Sequence, residues 1–289
     1  MPQLGLGLGL HRATRALFRG VLDTYPGAAA AYSLRALSSG WLAGDVVEVR
    51  RDVDGGGDVH KSFTASDYLN GVLLAWVTEF SGTANGSVST WYDQSGNAKN
   101  ATQGSANAQP KIVDAGALVT GGIYSDGVDD ALISTAFLTS APATIVSKGT
   151  HVMGSSSAGV TFADSSATDQ AFGQSTNGST NQNRSFVFNS SFAQSSSVAT
   201  LGNDDFLGSS ILTINGANTE AVNRLNGVAA TLASNVTPTG IDRFAIGSLR
   251  RLVPDYYAGA VAEVIVYDSD QSSNIVGIEA NINAYYSIY

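Results

Sequence analysis

The chain has 289 residues, of which 13% are charged, and its formal net charge is −9, so it offers no overall positive field for a phosphate backbone and we expect no nucleic-acid partner. It contains no cysteine, which excludes disulfides and thiol catalysis. The sequence also shows neither an apolar run long enough to span a bilayer nor the charge-first order of a signal peptide, so we expect no membrane association and no Sec export.

Residues 1–24 differ in composition from the rest of the chain. The alternating stretch "LGLGLGL" is followed by the basic stretch "HRATRALFRG". Glycine at every second position weakens an isolated strand, so we predict an extended arm that becomes ordered by adding to a neighbouring sheet. A frayed terminus without a role is the alternative. The residues predicted to make the assembly contacts of this arm are Leu4, Leu6, Leu8, Arg12, Arg15 and Arg19.

The remaining residues, 25–289, are predicted to form one domain that begins with strands and a helix. "AYSLRAL" and "VVEVRR" alternate apolar and polar positions, and the glycine-rich stretch "DVDGGGDVH" after them indicates a loop. An amphipathic helix is predicted over 64–77, with Thr64 or Ser66 as its N-cap. Its apolar face would consist of Leu69, Val72, Leu73 and Trp76.

The second half of the chain favours short strands. Residues 139–205 are rich in serine, glycine, asparagine and threonine, and aromatic residues recur there at strand-like intervals. Asn226-Gly227 lies between two alternating runs, which predicts a β-hairpin. The C-terminal segment predicts a long apolar strand and then a short helix with Ile275, Ile278 and Ile282 on one side. Many short strands and few helices indicate an all-β sandwich, or jelly roll, of two packed antiparallel sheets.

Two motifs carry a resemblance to a known superfamily. The stretch "WYDQSGNAKNATQ" is followed by "QPKIV" and then by "YSDGVDDAL", in which Tyr124-Ser125 departs slightly from the usual pattern. In this order the motifs resemble the concanavalin A-like lectin/glucanase (laminin-G-like) superfamily, which implies a concanavalin A-like jelly-roll sandwich with one or two accessory helices. The matching residues are Asp93, Ser95, Gly96, Asn97 and Asn100, then Asp126, Gly127, Asp129 and Asp130.

The segments "AAYSLRAL", "VVEVRRD" and "WYDQSGN" are also similar to the start of the arabinofuranosidase B catalytic domain. That family uses a glutamate nucleophile, an aspartate acid and a vicinal cysteine pair, but the corresponding stretches here, "SFVFNSSF" and "AIGSLRRL", contain no carboxylate. Other pairs fit poorly, because Glu263 and Asp268 would point to opposite faces of a strand and the adjacent Asp129 and Asp130 would diverge. His11, His60 and His151 are predicted in the arm, in the glycine-rich loop and in a strand. We therefore predict a non-catalytic protein, with a carbohydrate-active enzyme as the alternative.

A lectin-like domain binds sugars through an exposed aromatic ring and hydrogen-bonding side chains. The candidates for carbohydrate binding are Trp41, Tyr92, Asn97, Tyr256 and Tyr257, whereas Trp76 and Trp91 are expected in the core. Laminin-G-like domains often hold calcium, and the candidate ligands for it are Asp93, Asp126, Asp129 and Asp130. The alternative for these aspartates is Asx turns with their own backbone, and no other cofactor is expected.

The C-terminal segment "EVIVYDSDQSSNIVGIEANINAYYSIY" is similar to the C-termini of many virion proteins of tailed bacteriophages. This resemblance implies a structural protein of the virion: a capsid decoration or cement protein, a head fibre or a tail-fibre component. Its expected partners are other virion proteins, through the arm, and host-surface glycans. A homo-oligomer, on the family's habit a trimer, is expected at the surface of the particle.

Overall fold

A computed structural model describes residues 18–53, 57–135, 137–138, 142–150, 152, 157–164, 170–177, 182–189, 191–196, 205–215, 218–234, 238, 241–249 and 255–289. Leu4, Leu6, Leu8, Arg12 and Arg15 of the predicted arm lie outside these residues, as do His11 and His151. Strands dominate the described chain, and every strand pairing is antiparallel.

The helices within the described residues are short. They are α1 (Val21–Thr24), α2 (Ala65–Leu69), α3 (Val72–Val77) and α4 (Ile275–Tyr286), with single 3₁₀ turns at Ser39–Trp41 and Ala106–Ala108. The strands are β1 (Ala28–Ser33), β2 (Asp45–Val53), β3 (Gly57–Thr64), β4 (Gly86–Trp91), β5 (Ala101–Thr102), β6 (Lys111–Asp114), β7 (Ala117–Leu118), β8 (Ile123–Asp126), β9 (Leu132–Thr135), β10 (Ala143–Thr150), β11 (Ser157–Ala163), β12 (Gln170–Asn177), β13 (Gln182–Asn189), β14 (Ser191–Ser196), β15 (Asp205–Asn215), β16 (Asn218–Leu225), β17 (Val228–Ser234), β18 (Arg243–Ile246), β19 (Ser248–Leu249), β20 (Asp255–Tyr256) and β21 (Ala258–Tyr267).

The strand pairings form two layers. The back sheet runs β1-β21-β10-β15-β16-β17. The front sheet runs β3-β2-β4-β5-β9-β18-β11-β12-β13-β14. Strands β6 and β8 connect the layers, because β6 pairs with β4 and β8 pairs with β21. This arrangement confirms the predicted all-β antiparallel sandwich.

Strand β21 is an inner strand of the back sheet, between β1 and β10. Nine of its ten residues are buried, as expected for a strand that is covered on both faces. Val264 and Val266 belong to the large core cluster between the sheets, whereas Ile265 and Tyr267 point to the other face, where α4 packs. Because successive side chains point to opposite faces, this one strand contributes to both hydrophobic clusters.

Helix α4 covers the outer face of the back sheet. Ile275, Ile278 and Ile282 are at most 3% exposed and share a cluster with Val21 of α1, which confirms the predicted C-terminal helix. Since Val21 is fully buried, the boundary of the predicted arm at residue 24 needs correction: α1 is part of the folded body. Arg19, the last of the predicted arm contacts, is exposed.

The single helix predicted over 64–77 is wrong, because the structure has two helices there. Gly71 adopts φ +75° between α2 and α3, a left-handed conformation that ends the first helix and rotates the second. As a result, Leu69 and Val72 are 60% and 43% exposed, while Leu73 is fully buried. The cap is confirmed, since the Asp67 amide donates to Oγ1 of Thr64.

The predicted hairpin is confirmed between β16 and β17. Asn226 and Gly227 both have positive φ, of 49° and 81°, as a two-residue primed turn requires. The expectation that His60 lies in a loop is wrong, because the alternation of β3 begins directly after the glycines and places His60 in that strand. Trp91 is fully buried and Trp76 is partly buried against the core, as predicted.

One end of the sandwich interior is polar. A polar seam of five side chains from both sheets lies between the layers: Ser147, Gln174, Asn183, Ser185 and Asn223. They bond to one another and to the backbone; Gln174 Nε2, for example, donates to the carbonyl of Ile145 at 3.0 Å. A cavity of about 10 Å³ adjoins the seam, and the buried Oδ1 of Asn183 has no hydrogen-bond partner within the described part of the chain. A single water would fit this space and satisfy that oxygen.

Within the described residues, no helix combines the length and the apolar character needed to cross a bilayer.

Candidate functional site

A polar groove crosses the outer face of the front sheet. Val47 and Val49 of β2 point into the core, so Glu48 and Arg50 point outward. Two open hollows, of about 300 Å³ and 600 Å³, meet at Thr102 and Gln103. We call this feature the front groove, and its principal side chains are Glu48, Arg50, Asp58, His60, Ser89, Thr90, Asn100, Thr102, Gln103, Gln109, Ile133, Thr135, Asp242 and Arg243.

Arg50 organises one end of the front groove. Its Nε donates to Oε1 of Gln109 at 2.7 Å, and Nη1 donates to Oδ1 of Asp58 at 3.0 Å. Nη2 donates to the carbonyl of Ala106, and Gln109 Nε2 in turn donates to the carbonyl of Gln103. The guanidinium therefore fixes the loop that follows β5. The floor of the groove is thus preorganised for ligand binding.

Glu48, His60 and Ser89 meet in the same end of the groove. The Ser89 hydroxyl donates to Oε1 of Glu48 at 2.6 Å. Nδ1 of His60 lies 3.2 Å from the Ser89 hydroxyl and 3.3 Å from Oε1 of Glu48. In a serine triad the serine and the carboxylate contact opposite ring nitrogens, whereas here both contact Nδ1. The cluster therefore presents hydrogen-bonding groups but lacks the geometry of a proton relay.

Tyr92 lies on the same face of the front sheet as the groove but outside the lining of both hollows. Its hydroxyl lies 2.9 Å from Oγ of Ser62. Ser62 pairs with Glu48 across β3 and β2, so the Tyr92 phenol occupies the face on which the groove opens. Among the predicted carbohydrate-binding residues, Tyr92 therefore offers an aromatic side chain on the face of the front sheet that carries the groove.

The "DQSGN" turn connects the groove to β1. Asp93 is 2% exposed and accepts from the amides of Ala31, Ser95 and Lys99 and from the Ser95 hydroxyl. The amide group of Asn97 donates to the carbonyls of Ala28 and Ala29. Both side chains are thus engaged in holding a corner of the fold, as the Asx-turn interpretation predicts.

The other predicted aromatic contacts lie away from the groove. Tyr257 is 1% exposed and its hydroxyl donates to the carbonyl of Thr150, so its prediction as a sugar-stacking residue is wrong. Tyr256, the preceding residue, is half-buried on the short β20. Trp41 is half-buried against the core, and its indole Nε1 donates to the carbonyl of Asp45 at 3.1 Å. Adjacent residues of an extended chain point in opposite directions, which explains why only one of the two tyrosines is enclosed.

Three of the four predicted calcium ligands lie together. Carboxylate oxygens of Asp126, Asp129 and Asp130 fall within 4.8 Å of one another, and Asp93 is not in this group. Burial, and next the neighbouring carboxylate of Asp126, raise the pKa of Asp130 to about 6. Oδ1 of Asp126 accepts from the amide of Val128 at 2.8 Å, which is a local Asx turn. Calcium binding at this cluster stays a prediction.

Sequence reasoning missed most of the groove. Its residues come from six different strands and three loops, and nothing in a local pattern brings them together. It also missed a buried ion pair on the opposite face, in which Arg35 Nε donates to Oε2 of Glu263 at 2.7 Å. A lone glutamate inside the apolar run "AVAEVIVY" was the available signal, since a buried carboxylate needs a partner. As expected, Glu263 does not pair with Asp268, which is exposed beyond the end of β21.

Comparison with solved structures finds the same fold in arabinofuranosidases. A GH54 α-L-arabinofuranosidase soaked with a cyclic sulfate inhibitor matches with a TM-score of 0.62 at 12% sequence identity, over 91% of this chain and 64% of that chain. An arabinofuranosidase complexed with arabinofuranosyl-α-1,2-xylobiose matches with a TM-score of 0.59 at 13% identity, with the same coverage of both chains. No family model matches the chain, and neither does any curated protein. The chain thus shares the expected sandwich fold and spans about 64% of the length of these enzymes.

Proposed function

We propose that this chain is a non-catalytic carbohydrate-binding domain of a bacteriophage virion and that glycans bind in the front groove. The observation that carries the proposal is the groove itself: a preformed polar surface with amide, hydroxyl and charged side chains, with Tyr92 on the same face of the sheet. Sugars are bound in this way, by hydrogen bonds to several hydroxyl groups and by contact of a ring face with an aromatic side chain. The open shape suits a polysaccharide chain better than an isolated small molecule.

Two carboxylates of the groove already have hydrogen-bonding partners, which favours glycan binding over glycoside hydrolysis. Glu48 accepts the Ser89 hydroxyl, and Asp58 is paired with Arg50. A glycosidase instead needs one carboxyl group free to donate a proton and a second free to attack or to activate water, on either side of the glycosidic bond. The alternative, a carbohydrate-active enzyme, is favoured only by the shared fold with arabinofuranosidases, and a fold hosts many functions.

The virion part of the proposal is supported by the sequence resemblance of the C-terminal segment. In the structure this segment forms the second half of β21 and helix α4, which covers the outer face of the back sheet. The proposed component is a capsid decoration or cement protein, a head fibre or a tail-fibre protein, with residues before α1 contacting other virion proteins. Several copies on one particle, as a trimer or a larger array, would convert weak glycan binding into firm attachment.

Glycan binding is tested by affinity electrophoresis in gels that contain arabinoxylan or purified bacterial lipopolysaccharide. We expect retardation of the wild-type protein by at least one of them. His60→Ala and Arg243→Ala, which remove groove side chains, should each weaken binding about five- to tenfold. Lys61→Ala is the matched control, because Lys61 lies next to His60 on β3 and points to the other face.

Three results would contradict this proposal. Absence of retardation in both gels rejects glycan binding. An equal effect of Lys61→Ala places binding outside the groove. Release of reducing sugar from either polysaccharide by the purified protein rejects the non-catalytic role and supports the enzyme. The virion role is tested separately by deleting residues 1–17, which should prevent incorporation into particles while leaving the melting temperature unchanged.

A further inference from the structure

A smaller and more enclosed cavity lies on the opposite side of the molecule, beyond the C-terminal end of α4. Its volume is about 200 Å³, which is enough for several water molecules or one small organic group. The residues that determine its chemistry are Arg35, Tyr68, Lys148, Asp205, Tyr285 and Tyr286. None of them lines the front groove, so this cavity and the groove are separate sites.

The register of the back sheet places opposite charges side by side on this face. Ser33 pairs with Glu263 across β1 and β21, and Glu263 pairs with Lys148 across β21 and β10. Directly paired residues of antiparallel strands point to the same face. Further along the strands, the same face is covered by the isoleucines of α4. Helix α4 ends at Tyr286, so Glu263 and Lys148 lie at the edge of the area that the helix covers.

Glu263 has all of its hydrogen-bonding capacity in use. It is fully buried and accepts from Arg35 Nε at 2.7 Å, from Arg35 Nη2 at 2.8 Å and from the Ser33 hydroxyl at 2.9 Å. The Tyr286 hydroxyl lies 3.3 Å from the same carboxylate. Burial, and next the charge of Glu263, raise the pKa of Tyr286 well above its usual value, so its hydroxyl stays protonated. This carboxylate is therefore held in place by its neighbours and has no capacity left for a ligand.

Lys148 is the less satisfied of the two cations. Its side chain is 2% exposed, yet among the described residues the ammonium has one hydrogen-bond acceptor, Oδ1 of Asp205 at 2.8 Å. An ammonium carries three N–H donors, so two are unused there. Arg35 bonds through Nε and Nη2, and Nη1 has no acceptor among the described residues. Asp205, by contrast, lies at the rim with its side chain 42% exposed.

We propose that this cavity binds a small organic carboxylate, such as a uronic acid residue. The carboxylate of the ligand would accept from Lys148 Nζ and Arg35 Nη1, and it would replace Asp205 as the main partner of the ammonium. Breaking the Lys148–Asp205 ion pair costs little free energy, because water solvates the exposed carboxylate of Asp205. Tyr68 would flank the carbon skeleton of the ligand, as aromatic walls do in sugar sites. The ring of Tyr285 instead supports the Arg35 guanidinium, which lies 4.6 Å from the ring centroid. The site thus selects hydrogen-bond acceptors with negative charge over neutral sugars.

The test is calorimetric titration of the full chain with glucuronate and, in parallel, with glucose. We expect glucuronate to bind at least about tenfold more tightly than glucose. Lys148→Met should weaken glucuronate binding about tenfold. Asp205→Asn should strengthen it several-fold, because the competing carboxylate is removed while the ammonium remains. Arg224→Met is the matched control, since the Arg224–Glu279 ion pair also lies beneath α4 but outside the cavity.

The opposite effects of the two substitutions keep the proposal falsifiable. If Lys148→Met fails to fold, as judged by its melting curve, Asp205→Asn decides alone. Unchanged or weaker glucuronate binding by Asp205→Asn overturns the proposal, as does equal affinity of the wild-type protein for glucose and glucuronate. A loss with Arg224→Met as large as with Lys148→Met would show that the effect arises from general destabilisation, and this also rejects the site. Because the cavity and the front groove share no residue, failure here leaves the polysaccharide experiment unaffected.

Discussion

At the scale of single residues, two glutamates buried beneath α4 or within it are each held by an arginine. The Arg35–Glu263 pair has side chains 9% and 1% exposed, and the Arg224–Glu279 pair has side chains 15% and 2% exposed. Removing one member of such a pair leaves an uncompensated buried charge, which typically costs about 3–5 kcal/mol. Because Arg35 follows β1 and Glu263 lies on β21, their bond also specifies how these two strands align. Each of these two pairs is therefore tied to one relative position of the elements that carry it.

Asp130 is a buried carboxyl group with no cationic hydrogen-bond partner among the described residues, and it predicts a pH dependence of stability. Its pKa of about 6 in the folded protein exceeds the value of about 3.9 expected in the unfolded chain. The folded state thus holds this proton more tightly, so ionisation of Asp130 lowers the free energy of unfolding as the pH rises from about 4 to about 6. We expect Asp130→Asn to raise that free energy at pH 7 by about 1–2 kcal/mol and to have little effect at pH 3.5.

The measurement is urea denaturation of wild type and variant between pH 3.5 and pH 7. Asp45→Asn, which alters an exposed carboxylate, serves as the control and should leave the difference curve flat. The side-chain oxygen of asparagine can still accept the Asp126 amide that Asp130 accepts at 3.1 Å, so the turn itself is preserved. A stabilisation that is independent of pH would contradict the raised pKa.

At the scale of elements, glycines determine how closely neighbouring strands approach. Gly122 has φ +127°, and a Cβ there would lie 2.3 Å from the carbonyl oxygen of Val261 on β21. Gly71 also has positive φ, but a Cβ there would meet nothing within 4 Å. We expect Gly122→Ala to lower the free energy of unfolding by about 3 kcal/mol or more, and Gly71→Ala by about 1 kcal/mol. Urea denaturation of the two variants measures the difference, and equal losses would show that backbone strain alone determines both.

Local elements could be predicted from the sequence where a short pattern is compatible with only one backbone conformation. Asn226-Gly227 predicted its hairpin because few residues tolerate two consecutive positive φ angles. Thr64 predicted its cap for a similarly local reason. The helix over 64–77 was predicted wrongly because helical spacing continued through Gly71, and the left-handed turn there depends on packing that a periodic pattern does not contain. Periodicity identified the helical residues but not the point at which the direction of the chain changes.

At the scale of the whole molecule, the sandwich has an apolar half and a half that contains the polar seam. Opening the apolar half exposes hydrocarbon to water, whereas opening the other half returns hydroxyl and amide groups to water. We expect the amide of Ile265 in β21 to exchange with deuterium at least about tenfold more slowly than that of Ser185 in β13. Native-state hydrogen exchange measures both rates. Equal protection would show that the two halves open as one cooperative unit.

The candidate site could not be predicted from the sequence, because it exists only at this scale. Glu48, Ser89 and Arg243 lie on three strands that are far apart in the chain, and the front sheet brings them onto one face. The Arg35–Glu263 pair spans 228 residues for the same reason. By contrast, the sequence indicates the turn that contains Asp93 and Asn97, since a turn motif is contiguous. Both side chains form hydrogen bonds that hold this corner of the fold. Contiguous motifs thus revealed the corner of the fold and not the surface that we propose for binding.

The position of β21 between β1 and β10 has a consequence for how the protein is made. Strand β1 pairs with β21, and the bond from Ser33 to Glu263 joins residues 230 positions apart. A ribosome that adds about 5–20 residues per second needs roughly 10–50 s to make that interval. During this time β1 and β10 have no β21 between them, and their pairing edges are open. We therefore expect the nascent chain to depend on chaperones until its C-terminal segment emerges, and the back sheet to close only after translation of β21.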